Sequence, residues 1–150
     1  MEFEKSMNYP DIKHEFLGYV RYNSELDWYE CQVVFYETQL TISISTDDNN
    51  KVESALYRAN SVVRDLKHHA KSAKEYAVEQ LLKLKNETWL DQGETLTSEE
   101  FKNRMTLEGL VFFPDGEAEL YYNDGNLFFG HCILIKMDKH DCFVDASIPG

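Results

Sequence analysis

The chain reads as an α+β domain: an antiparallel arrangement of about seven strands, three N-terminal and four in a C-terminal meander, packed with two main helices and one short helix. Three observations predict it. Two hairpin signals, Pro114-Asp115-Gly116 and Asp124-Gly125, each sit between runs of apolar and aromatic residues. Residues 47–92 hold no Gly or Pro and carry apolar residues at helical spacing. Strands and helices are segregated along the chain, which is the α+β pattern and not the doubly wound one.

Taken in order, residues 1–12 are polar and broken at Pro10, and are expected to be a loosely held lead-in. His14 to Tyr22 alternates well enough for a strand. Trp28 to Tyr36 and Gln39 to Ser45 form a hairpin. With Glu37-Thr38 as its turn, Phe35 faces Leu40, Val33 faces Ile42 and Cys31 faces Ile44. Helix follows Thr46-Asp47-Asp48, with Asp47 or Asp48 as the N-cap. Its apolar seam runs Val52, Leu56, Ala59, Val63, Leu66, Ala70, Ala73, Ala77. One unbroken helix over that stretch would outrun a compact domain, so two helices with a bend near Lys67 to Ser72 are expected. Thr97 and Glu100 then form a capping box, with Leu96 stapling onto Phe101, for a short helix from Ser98 to about Met105.

The last four strands have a readable register. Pro-Asp-Gly places Gly116 as a bulge residue and pairs Phe112 with Ala118 and Leu110 with Leu120. Asp124-Gly125, read as a two-residue turn, pairs Tyr122 with Leu127, Leu120 with Phe129 and Ala118 with His131. Alternation then gives a core face that includes Leu110, Phe112, Leu120, Tyr122, Phe129, His131, Ile133 and Ile135. A four-residue connection over 137–140 adds Cys142, Val144, Ala146 and Ile148 to it. The opposite face carries Tyr121, Phe128, Leu134 and Phe143, rimmed by Glu117, Glu119 and Asp145. Two half-apolar faces imply two covering layers, helices on one side and the N-terminal strands on the other. The competing expectation is that the outer face is an exposed patch for a protein partner.

At 150 residues and 43% hydrophobic content, residues 1–150 are expected to be a single domain with its own core. Three cysteines at irregular spacing point to free thiols, and the opening Met1 to Lys5 has no signal-peptide pattern. A cytoplasmic location without a membrane segment is expected. The net charge is −12 and the pI about 4.7. That balance disfavours nucleic acid; it reads first as a means of solubility, and more sharply as a surface that suits a basic protein partner. The densest basic stretch, Lys67 to Lys74, reads as a solvated helix face, with His68-His69 exposed on it.

Several segments carry a resemblance. Leu84 to Leu90 (LKNETWL), Leu96 to Phe101 (LTSEEF), Phe113-Pro114-Asp115-Gly116, Tyr121 to Phe128 (YYNDGNLF), Gly130-His131 and the ending Asp145 to Gly150 resemble domain-of-unknown-function family 2262, from mainly bacterial proteins. The resemblance is specific from Glu79 onward, looser from Leu56, and absent over residues 1–27. It implies a fold family and no activity, cofactor or catalytic residue.

His131-Cys132 with His140 and Cys142 is the nearest thing to a metal set, and the register points these side chains apart, so no metal and no cofactor are expected. No nucleophile elbow, phosphate loop or zinc-helix motif is present, so no catalytic residue is assigned. The leading expectation is a non-enzymatic protein-binding module, one form of which is an immunity-like protein neutralising a basic partner. The alternatives are an enzyme or small-ligand binder with a pocket near His131, and a self-associating subunit, so that a monomer and a homodimer are both open.

Overall fold

The computed structural model describes residues 9–89 and 95–149. Among them the strands form one mixed sheet of eight, in the order β1 to β8. The strands are β1 (Ile12–His14), β2 (Gly18–Asn23), β3 (Trp28–Phe35), β4 (Thr38–Ile44), β5 (Thr106–Phe112), β6 (Ala118–Asn123), β7 (Cys132–Met137) and β8 (Phe143–Ser147). Three helices, α1 (Glu53–Arg64), α2 (Leu66–Thr88) and α3 (Ser98–Arg104), lie between β4 and β5. The α+β class holds. The expected count of seven strands becomes eight, and the sheet is not wholly antiparallel.

The exception is β4 with β5, which pair in parallel, Ile42 beside Leu110 and Ile44 beside Phe112. A parallel pair cannot be joined by a tight turn. The helices therefore form the crossover, and two antiparallel meanders merge into one sheet. This corrects the expected second layer: the N-terminal strands extend the sheet rather than cover its outer face.

The inner face is the core. Leu40, Ile42, Ile44, Leu110, Phe112, Leu120, Tyr122, Ile133 and Ile135 are buried in one cluster with Ala55, Ala59, Ala73 and Ala77 of α1 and α2. Alanine at those helical positions lets the helices sit close on the sheet. The Tyr122 hydroxyl, inside this layer, donates to the Ala70 carbonyl at 2.9 Å. The helix break comes at Asp65, just before the expected bend. Neither Asp47 nor Asp48 caps α1: Val52 stands at that position, while Asp47 Oδ1 accepts from the N–H groups of Asn49 and Lys51, each at 2.9 Å. The capping box of α3 forms as expected, and Leu96 packs against the core.

Register followed the turns. At the β5–β6 turn Phe112 faces Ala118 and Leu110 faces Leu120, with Gly116 at φ 94°. At β3–β4 the turn is Tyr36-Glu37, both left-handed at φ 48° and 68°, so Val33 faces Leu40 and Cys31 faces Ile42. The expected pairing was two positions off. At β6–β7 the two-residue turn does not form. Tyr122 faces Ile133, six positions beyond Leu127, and residues 124–131 make a loop. Both errors are even, so the strand residues keep their faces.

The buried Asp124 carboxylate organises that loop. It accepts from the N–H groups of Asn126 at 2.9 Å, Phe128 at 2.8 Å and Gly130 at 3.2 Å. Gly125 is left-handed, and a Cβ there would lie 2.2 Å from the Arg104 carbonyl oxygen. Arg104 in turn donates to the Gly125 carbonyl from Nε at 2.9 Å and Nη2 at 2.6 Å. The loop is thereby seated on α3.

Residues 1–8 of the expected lead-in lie outside the described residues. The rest of it is tied down: Tyr9 is buried and stacks on Tyr22 with ring centroids 4.0 Å apart, and Ile12 begins β1. Among the described residues, no helix is long and apolar enough to cross a membrane. Cys31, Cys132 and Cys142 are all unpaired, and burial pushes the Cys31 thiol up to about 12.

Candidate functional site

Among the described residues the helices cover one face of the sheet, and the other is open. Its C-terminal half is where the expected binding residues were placed, and the structure divides them. Tyr121, half-buried, and Leu134, buried where the expected binding patch would expose it, are cross-strand neighbours on that face. The Tyr121 hydroxyl donates to Glu119 Oε1 at 2.9 Å. Burial and that bond push the Tyr121 phenol up to about 12. Asp145 faces Lys136 on the next strand pair.

Phe128 and Phe143 are not on this face. Phe128 lies in the 124–131 loop, fully buried against Phe101 and Trp89 at centroid distances of 6.1 and 5.5 Å. Phe143 faces Met137 because β8 carries a bulge opposite Lys136 and Met137, and it packs on Tyr76 of α2. The same bulge leaves Cys142 and Val144 exposed instead of in the core.

His131 is also displaced. It belongs to the loop, not to a strand opposite Ala118, and is half-buried. Its Nδ1 is 2.5 Å from the Phe128 carbonyl oxygen, and its ring stands edge-on to Trp89. Phe129, expected in the core, is 52% exposed and left-handed at φ 58°. Beneath it Lys85 is buried, donating to the Trp89 carbonyl with its ammonium 5.6 Å from the Phe129 ring centroid. Among the described residues, no group of three or more His, Cys, Asp and Glu side chains is placed to hold a metal ion.

The acidic residues, by contrast, converge. Asp115, Glu117 and Glu119 line a cleft of about 160 Å³ with Phe113, Lys136 and Val144, where the open face meets the β5–β6 turn. A neighbouring cleft of about 280 Å³ shares Asp115 and Glu117 and adds Asp138, Lys139 and His140 from the β7–β8 turn. Four carboxylates and two lysines thus border the end of the sheet. Asp115 Oδ1 accepts from the Glu117 N–H at 2.9 Å, which fixes the first turn. Asp138 Oδ1 accepts from the N–H groups of Cys142 at 3.0 Å and His140 at 2.8 Å. Those bonds hold its carboxyl below the usual range, so it is charged at neutral pH.

The residue that assembles this rim is Arg58, 8% exposed on α1. Its Nε donates to the Gly116 carbonyl and its Nη2 to the Asp138 carbonyl, both at 2.8 Å. Its Nη1 pairs with Asp141 Oδ1 at 2.6 Å. Ser54, one turn earlier, donates to the Pro114 carbonyl at 2.7 Å. The two turns also touch directly, since a Cβ on Gly116 would lie 2.6 Å from Lys139 Cβ. A buried guanidinium with a rigid fork is suited to holding two backbone turns at once. Sequence reading found Glu117 and Glu119 but missed Asp115, Asp138 and Arg58. The spacing Ala55, Arg58, Ala59, Val62 was the available signal, because it puts Arg58 on the buried stripe.

The fold and this rim define a mixed α+β domain with an acidic, turn-built edge beside an open sheet face. The chain belongs to a family described as an uncharacterized protein conserved in bacteria, domain-of-unknown-function family 2262, which matches residues 14–148. The match reaches back through β2 to β4, beyond the segments that carried the resemblance. No curated protein and no solved structure matches the chain.

Proposed function

We propose that this domain is a non-enzymatic protein-binding module that takes a basic partner at the acidic rim. The observation that carries it is the cleft of Asp115, Glu117 and Glu119 around the apolar walls of Phe113 and Val144. Its volume of about 160 Å³ suits one long side chain. A lysine or arginine can lay its methylene stem on Phe113 and Val144 and set its charged head among the carboxylates. Asp138 lies in the adjoining cleft for a second cation. Val144 is 57% exposed beside charged groups, the composition of an interface edge. The carboxylates gathered at the rim would attract such a partner at close range.

Wild-type protein and the triple variant Asp115→Lys, Glu117→Lys, Glu119→Lys, each immobilised, test this against a native bacterial lysate with mass spectrometry of the eluates. The expected result is a protein of high pI retained by the wild type and lost by the variant, with both baits showing the same melting temperature. Equal retention on both baits contradicts the reading.

A further inference from the structure

A second feature, remote in sequence from the acidic rim, has the opposite charge. Lys67, Lys71 and Lys74 follow one another along α2, and with Phe35, Tyr36 and Ala70 they line a groove of about 290 Å³. A continuing groove of about 230 Å³ runs on past Lys74 to Thr38, Thr106 and Tyr122. Among the described residues no carboxylate lines either groove. The clefts at the two C-terminal turns and beside Arg21 and Glu30 each carry at least one. Among the described residues none of the three lysines is ion-paired, although the chain has 27 acidic residues against 15 Lys and Arg.

The opposite wall is an aromatic held out from the surface. Tyr36 is 70% exposed at φ 48°, in the first central position of the β3–β4 turn. That turn type is normally built from Asn or Gly. A bulky aromatic there is strained, and its ring is braced edge-on by Phe35 at 4.7 Å between centroids.

We propose that this groove binds a small aromatic polyanion of the nucleoside diphosphate class, its base stacked on Tyr36 and its phosphates along Lys67, Lys71 and Lys74. The spacing fits, since Lys67 to Lys74 spans roughly 10 Å of helix at about 1.5 Å per residue. Lysine supplies point charges for phosphate, and an exposed ring supplies a sequence-tolerant stacking platform. Lys74 is half-buried, and burial lowers its pKa, which an anion beside it would offset. The protein's overall negative field does not prevent this at physiological salt, where charges beyond about 8 Å are largely screened.

The test is calorimetric titration of the full chain with ADP, pyrophosphate and adenosine at 0.15 M ionic strength. ADP should bind more tightly than either fragment. Tyr36→Asn, which suits the left-handed position, should weaken ADP about tenfold and leave pyrophosphate unchanged. Lys71→Glu with Lys74→Glu should abolish both. A melting temperature unchanged from the wild type serves as the control for fold in each variant. Failure of wild-type protein to bind ADP overturns the proposal. Equal affinity for ADP and pyrophosphate, or an unchanged ADP affinity in Tyr36→Asn, overturns the nucleotide assignment and leaves a plain phosphate site.

Discussion

Arg58 on α1 and Asp141 in the β7–β8 turn are joined at 2.6 Å, with Arg58 buried and the Asp141 side chain 49% exposed. The pair is asymmetric in consequence. Arg58→Ala removes the charge partner and also strips donors from the Gly116 and Asp138 carbonyls. It should cost about 3 kcal/mol in urea unfolding. Asp141→Asn leaves both carbonyl bonds in place and should cost under about 1 kcal/mol. Similar losses for the two variants would mean that the ion pair, not the backbone clamp, holds the rim.

Phe128 and Phe129 are adjacent and should behave differently. Phe128→Ala empties a buried site between Phe101 and Trp89 and should cost about 3–5 kcal/mol. Phe129→Gly relieves a left-handed position but also removes the ring over Lys85 and beside Trp89, so it should cost under about 1 kcal/mol. Thermal melts of the two variants check this. A tolerated Phe128→Ala would return that side chain to the open face.

Asp124→Ala should destabilise by about 2–4 kcal/mol, because three backbone N–H groups lose their acceptor. Hydrogen exchange at Phe128 and Gly130 should speed up ahead of exchange in β6 and β7. Uniform acceleration would mean that the loop does not depend on this carboxylate.

His69 is buried on α2, and burial lowers its pKa from 6.5. The unfolded chain therefore binds this proton at a higher pH than the folded protein does. Stability should be unaffected by this group above 6.5 and should fall as the pH drops from 6.5 through the lowered folded value. In urea unfolding at pH 7.5 and pH 5.5, His69→Gln should lose less stability on acidification than the wild type. Parallel losses would mean that His69 is solvated.

What could be read from the chain was local and periodic. The Pro114-Asp115-Gly116 turn carried its own register, and the Thr97 and Glu100 box carried its own helix start. Strand faces survived two register errors because both were even, so Leu120, Tyr122, Ile133 and Ile135 were placed in the core by parity alone. Tertiary chemistry was hidden. Asp124-Gly125 has ideal hairpin residues, but a buried carboxylate and Arg104 make it the start of a loop instead. That one substitution of loop for turn moved Phe128, Phe129 and His131 from their expected places. Arg58 and Lys85 went unnoticed because only apolar residues mark the helical seam, and His69, expected to be exposed beside His68, is instead buried. Each lies on the buried stripe, within three or four residues of Ala55, Ala73 or Leu81.

The most direct measurement of the central claim is an NMR titration of isotopically labelled protein with a short Gly-Arg repeat peptide, against a Gly-Ser peptide as control. The amides of Asp115, Gly116, Glu117, Glu119, Lys136 and Val144 should shift together and saturate with one affinity, weakened by salt. Shifts scattered over the acidic surface without saturation, or equal shifts from the uncharged peptide, would contradict a basic-partner site at the rim.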